Sequence, residues 1–99
     1  MIVVTAKITA KPGEKDKIIS KAQNLIASTR LESGCISYDL FADTEDNDIL
    51  LMLEKWENQD VLSSHMQTEH FKSFNEAIEN IMAKEVDIVV YSVSKVWKK

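Results

Sequence analysis

The chain holds two imidazoles, His65 and His70, five positions apart. A neutral imidazole near pH 7 is a natural general base. His65 is bracketed by Leu62 and Met66, a setting that suits a base in a pocket and equally a capping or surface histidine. His70 stands beside Glu69 and Phe71. The H-x-x-x-x-H spacing does not put both rings on one helical face, and no Cys or third His completes a ligand set, so no metal is expected. Glu54 and Trp56 alternate in step with Leu50 and Met52 and so share one face of a strand. A carboxylate on an apolar face must find a partner, shift its pKa or reach water at the rim. Trp56, and Tyr38 in step with Ile36 and Leu40, either line a pocket or fill the core. Cys35 has no thiolate-activating cluster beside it and reads as a small buried hydrophobe. Met52, Met66 and Met82 are pocket or core material without a metal-binding spacing.

These side chains need elements to carry them. Residues 2–9 are rich in β-branched types and predict a strand, closed by the turn signal Lys11-Pro12-Gly13. From Glu14 to about Leu31, Ile18, Ala22, Leu25, Ile26 and Thr29 recur at helical spacing, with Gly34 placed to end the helix. Strands follow at about Cys35–Ala42 and Ile49–Trp56, joined as a hairpin through a polar turn. A short helix carries Val61, Leu62, His65 and Met66, with Asp60 as its expected N-cap. Thr68 caps a further helical segment whose stripe is Phe71, Phe74, Ala77, Ile78, Ile81 and Met82, ending at Lys84-Glu85. Val86 to about Trp97 makes the last strand. The order β-α-β-β-α-β predicts an α+β, ferredoxin-like domain over residues 1–99, a four-stranded antiparallel sheet with its helices on one face.

Composition removes whole classes of function. Twelve Lys and Arg against sixteen Asp and Glu give a net charge of −4, without the basic stripe of a nucleic-acid binder. The cluster Lys95, Lys98 and Lys99 reads as a solvated tail. Two Gly cannot build a glycine-rich phosphate cradle, and G-x-x-x-x-G-K-[ST], C-x-x-C and H-E-x-x-H are all missing. The lone Cys35 excludes an internal disulfide framework and fits a reducing cytoplasm. No signal peptide is visible at Met1–Lys7, and no apolar run approaches the roughly 20 residues that span a bilayer.

One pattern points beyond a single chain. A half-exposed antiparallel strand should alternate apolar and polar residues. Ile49-Leu50-Leu51-Met52-Leu53 is apolar on both faces, as are Ile2-Val3-Val4 and Ile88-Val89-Val90. Helices cover one face of such a sheet, so a second copy packed sheet to sheet is the expected cover, burying well over ~1,200 Å² in total.

Three segments together, Glu32-Ser33-Gly34-Cys35-Ile36-Ser37-Tyr38, Leu53-Glu54-Lys55-Trp56 and His65-Met66-Gln67-Thr68-Glu69-His70-Phe71, carry the pattern E-x-G-C-x-x-Y, E-x-W, H-x-x-T-x-H-F. In order and spacing it resembles the antibiotic biosynthesis monooxygenase (ABM) family, most of all its bacterial quinol monooxygenase-like branch. The resemblance implies a dimeric α+β barrel with a pocket in each subunit. It also implies oxidation of a quinol or polyphenol-type aromatic by molecular oxygen with no flavin, haem or metal. On that model His65 is the base or the donor to the substrate oxygen. Trp56 and Tyr38 orient the ring, Glu54 polarises the pocket or positions a side chain, and Met52, His70 and Phe71 complete the substrate contacts. Haem-degrading relatives need a histidine on the later long helix and an asparagine on the first strand, where this chain offers Glu76, Thr5 and Ala6. Another branch isomerises a phosphorylated signalling sugar derivative, and no Lys or Arg cluster near the pocket motifs favours that phosphate. That isomerase and a non-catalytic dimer that holds a small aromatic ligand are the two alternatives.

Overall fold

The computed structural model describes residues 1–99. Strands β1 (Ile2–Thr9), β2 (Cys35–Ala42), β3 (Ile49–Trp56) and β4 (Asp87–Ser92) form one antiparallel sheet in the order β2-β3-β1-β4. Helices α1 (Lys15–Arg30), α2 (Gln59–His65) and α3 (Glu69–Ile78) interrupt the strands, and a 3₁₀ turn, Glu79–Ile81, follows α3. This is the expected ferredoxin-like topology.

The alternation read from the strands holds in space. Ile2, Val4 and Ile8 of β1, Tyr38 of β2, and Leu50, Met52, Glu54 and Trp56 of β3 are buried beneath the helices. Helix α1 buries the five residues its periodicity selects, Ile18, Ala22, Leu25, Ile26 and Thr29. Its last residue, Arg30, ties helix to sheet: Nε–H donates to the Tyr38 carbonyl at 3.1 Å, and Nη2 to Asp39 Oδ1 at 2.9 Å.

Element ends differ from expectation for physical reasons. The N-cap of α2 is Asn58, not Asp60; its side chain accepts the Val61 N–H at 3.0 Å. Thr68 caps α3 as expected, accepting the Phe71 N–H. That helix stops at Ile78 instead of running to residue 84, because the chain is drawn onto the end of β1. Lys11 N–H donates to the Ile81 carbonyl, Ala83 N–H donates to the Thr9 carbonyl, and Ala10 bridges Met82. Ala77, within the helix and expected in its apolar stripe, is exposed; Phe74 and Ile78 are the stripe residues that are buried. Strand β4 spans only six residues, and Val86 and 93–97 lie outside it. A bulge between Cys35 and Ser37 takes Ile36 out of the inner row, leaving it exposed while Tyr38 is buried.

The opposite face of the sheet has no helix over it. Val3, Ile49, Leu51 and Leu53 are half-buried there, and Phe41, Val89 and Tyr91 are exposed. Strand β4 is exposed along its whole length.

Candidate active site

Each candidate residue reaches the site by a short local device. His65 is the last residue of α2, and its carbonyl accepts the Thr68 hydroxyl at 2.7 Å. Thr68 thus closes the Met66–Thr68 turn with one oxygen and caps α3 with the same group. The turn places His65 and His70 on two different helices. Both rings now converge, against the reading from one helical face. His65 Nδ1 and His70 Nε2 each lie 2.7 Å from the same oxygen, Oε2 of Glu32. Glu32 sits in the turn after α1, 33 residues from His65 in sequence. Three groups able to hold a metal are thereby gathered at one point.

A carboxylate only accepts, so both ring nitrogens facing Glu32 carry their protons. That fixes the tautomer of His65 and leaves its Nε2 as a bare acceptor. The His65 side chain is 1% exposed, and Nε2 has no hydrogen-bond partner. Burial lowers the His65 pKa from its ordinary value, partly offset by the bond to Glu32. The ring is caged by aromatics, with centroids of Trp56, Phe71 and Tyr38 at 4.7, 5.0 and 5.4 Å.

Glu54 resolves its conflict with an apolar face in both expected ways. Trp56 Nε1–H donates to its Oε1 at 3.0 Å. Burial pushes its carboxyl up to about 7, with the Trp56 bond acting against the rise. Tyr38 is likewise pushed well above the ordinary phenol range by burial and stays neutral. Cys35 is half-buried with a raised thiol pKa, the opposite of an activated nucleophile.

Between the sheet and α3 lies a cavity of about 70 Å³. Tyr38, Met52, Glu54 and Phe71 line it, four of the residues expected to touch substrate. His65 and Trp56 are fully buried and do not line it, and His70 faces a different cleft, beside Lys21 and Ser73. Leu25, Phe74, Asn75 and Ile88 also line the cavity and were not anticipated. Phe74 follows Phe71 at i+3 on one helical face, a usable signal. Glu32 carried no such signal: it was visible in the motif, but nothing local says that it holds two imidazoles. No Lys or Arg lines the cavity.

The sequence profile described as antibiotic biosynthesis monooxygenase matches residues 1–77. The chain belongs to this family. A Synechocystis protein, sll1783, named as uncharacterized, is 35% identical over 94 residues, 95% of this chain. The chain spans 64% of that relative's length. The "Probable quinol monooxygenase YgiN" of Escherichia coli K12 is 27% identical over 89 residues, covering 80% of this chain and 86% of YgiN. A crystal structure described as antibiotic biosynthesis monooxygenase superposes with a TM-score of 0.88 at 28% identity, covering 96% of this chain and all of that one. The ABM assignment carries a monooxygenase-like function and the ferredoxin-like fold. No helix of this ABM chain is long and apolar enough to cross a membrane.

Proposed function

We propose that this chain is a cofactor-independent monooxygenase of quinol- or polyphenol-type aromatics, acting in the cytoplasm as a sheet-to-sheet homodimer of one ABM-like domain per chain. The observation that carries the reading is the bare, buried Nε2 of His65, held by Glu32 at Nδ1 inside the cage of Tyr38, Trp56 and Phe71. Such a nitrogen takes the proton of a phenolic hydroxyl. The resulting phenolate is electron-rich enough to pass electrons to molecular oxygen. One oxygen atom ends on a ring carbon and the other leaves as water with the two hydrogens lost from the substrate. The aromatic walls orient the ring and keep bulk water away.

Support for a quinol comes from the likeness to YgiN. The cavity's freedom from cationic side chains suits an uncharged ring better than a phosphorylated sugar. A cavity of about 70 Å³ is smaller than the roughly 150 Å³ that holds a benzene. Substrate entry therefore requires Phe71 and Phe74 of α3 to move away from the sheet. The movement of Phe71, which packs on the His65 ring, must also open the cavity to the buried Nε2 of His65. The mouth lies at Ile88, which is 57% exposed because no helix covers β4.

Oxygen uptake on menadiol-type and polycyclic phenol substrates tests the reading against His65→Ala. A general base contributes about 10²–10⁴-fold, and that loss is the expected result. Uptake equal to buffer across the panel would remove the monooxygenase and leave the ligand-binding dimer or the isomerase, and a loss under about tenfold would remove His65 as the base.

A further inference from the structure

Glu32, His65 and His70 bring metal-ligating atoms to one point from three separate segments: the turn after α1, the end of α2 and the start of α3. Nδ1 of His65, Nε2 of His70 and Oε2 of Glu32 all lie within 4.8 Å of one another. We propose that this trio is a binding site for a divalent transition ion of the zinc class, with these three atoms as ligands and water completing the set. Two imidazoles and one carboxylate suit borderline ions, whereas calcium and magnesium select oxygen-rich sites.

The geometry needs a small adjustment. Zinc bonds of about 2.0–2.2 Å in a tetrahedron hold neighbouring ligand atoms about 3.4 Å apart. Each 2.7 Å contact to Glu32 must therefore open by about 0.7 Å. Glu32 can yield, since its turn is not braced by a helix or strand and its side chain is partly exposed. His65 cannot, being locked among Tyr38, Trp56 and Phe71. His70 is 20% exposed and borders a cleft of about 170 Å³ with Asn24 and Ser73, which gives the ion an entry path. Lys21 in the same cleft opposes a cation, and the Glu32 carboxylate offsets it.

Binding moves protons without releasing any. Each neutral ring keeps its one proton, which shifts from the nitrogen facing Glu32 to the other. His65 Nε2 becomes an N–H donor, so the bound ion silences the base. That consequence rests on the proposed function; the binding itself does not.

The test uses tag-free protein stripped by a chelator and titrated with cobalt(II) at neutral pH. One ion per chain, visible d–d absorption and displacement by zinc are expected. His70→Ala, at a partly exposed position, and the isosteric Glu32→Gln should each weaken binding by about tenfold or more. Nitrogen-15 spectra should place the His65 proton on Nε2 in the zinc form. Failure of wild-type protein to saturate below about 1 mM cobalt, or variants that bind like wild type, would overturn the site. Zinc that binds and yet leaves oxygen uptake unchanged would instead remove His65 as the base.

Discussion

At the residue scale, the site depends on how two carboxylates, one half-buried and one buried, are satisfied. Glu32 meets two imidazoles, and Glu54 meets one indole N–H. Glu54 has the greater deficit, and its carboxyl is pushed up to about 7 by burial from an ordinary value of 4.5. The folded state therefore binds a proton more tightly than the unfolded chain. The associated stability is fully present below pH 4.5 and is lost as pH rises through about 7. At 1.36 kcal/mol per unit the full difference is of the order of 3 kcal/mol. His65, lowered by its own burial, tilts the profile the other way below its ordinary value of 6.5. Comparison with Glu54→Gln separates the two: chemical denaturation should show the variant gaining stability relative to wild type between pH 5 and pH 8. An unchanged difference across that range would contradict the burial of Glu54. Trp56→Phe removes the one bond that holds the Glu54 pKa down, so the carboxyl should titrate higher still, as carbon-13 spectra would report. Alternation along β3 was enough to set Met52, Glu54 and Trp56 on one face, whereas on β2 the bulge leaves Ile36 exposed and breaks the period in which Tyr38 was read. Glu32 was not legible, because its partners lie 33 and 38 residues away across a turn that local pattern does not encode.

At the element scale, the site depends on the joint between the α1–β2 turn and α2. Gly34 has φ +86°, and a Cβ there would stand 2.6 Å from Val61 Cγ1. The sequence placed Gly34 as a helix stop, yet α1 is already capped at Leu31. Its actual role is to let the turn that carries Glu32 approach the helix that carries His65. Gly34→Ala meets both an unfavourable backbone region and a clash with a branched side chain. A loss of about 2 kcal/mol or more is expected, which for a chain of this size lowers Tm by roughly 8–16 °C. A Tm within two or three degrees of wild type would show that the turn relaxes freely. Helix and strand periods were readable because they follow from which faces are buried. The end of α3 was not, because its helical pattern continues through Ile81 and Met82 while β1 captures the backbone there.

At the scale of the whole molecule, the sheet has a second apolar face and no element left to cover it. Leu51 and Leu53 at its centre are half-buried, with Phe41, Val89 and Tyr91 exposed around them. The registers Thr5↔Leu53, Lys7↔Leu51 and Thr5↔Val89 set these residues in neighbouring rows across three strands. An exposed, largely apolar face of this kind, crossed along β1 by Thr5 and the exposed Lys7, suits an interface on a small protein. A two-fold related copy presents the same rows to it, so the contact is self-complementary. Sedimentation at micromolar concentration should therefore give twice the mass of the chain. Leu51→Glu puts a charge at the centre of that face, unpaired and desolvated only if the dimer forms. The variant should sediment as a monomer, while its circular dichroism stays native because the helix-facing core is untouched. The mouth of the cavity at Ile88 belongs to β4, the strand most exposed in the single chain, so the same variant reports on function as well. If the second copy braces β4, Leu51→Glu should lower oxygen uptake in proportion to the monomer fraction. A wild-type chain that sediments as a monomer would remove the dimer, and with it the reason for a strand apolar on both faces.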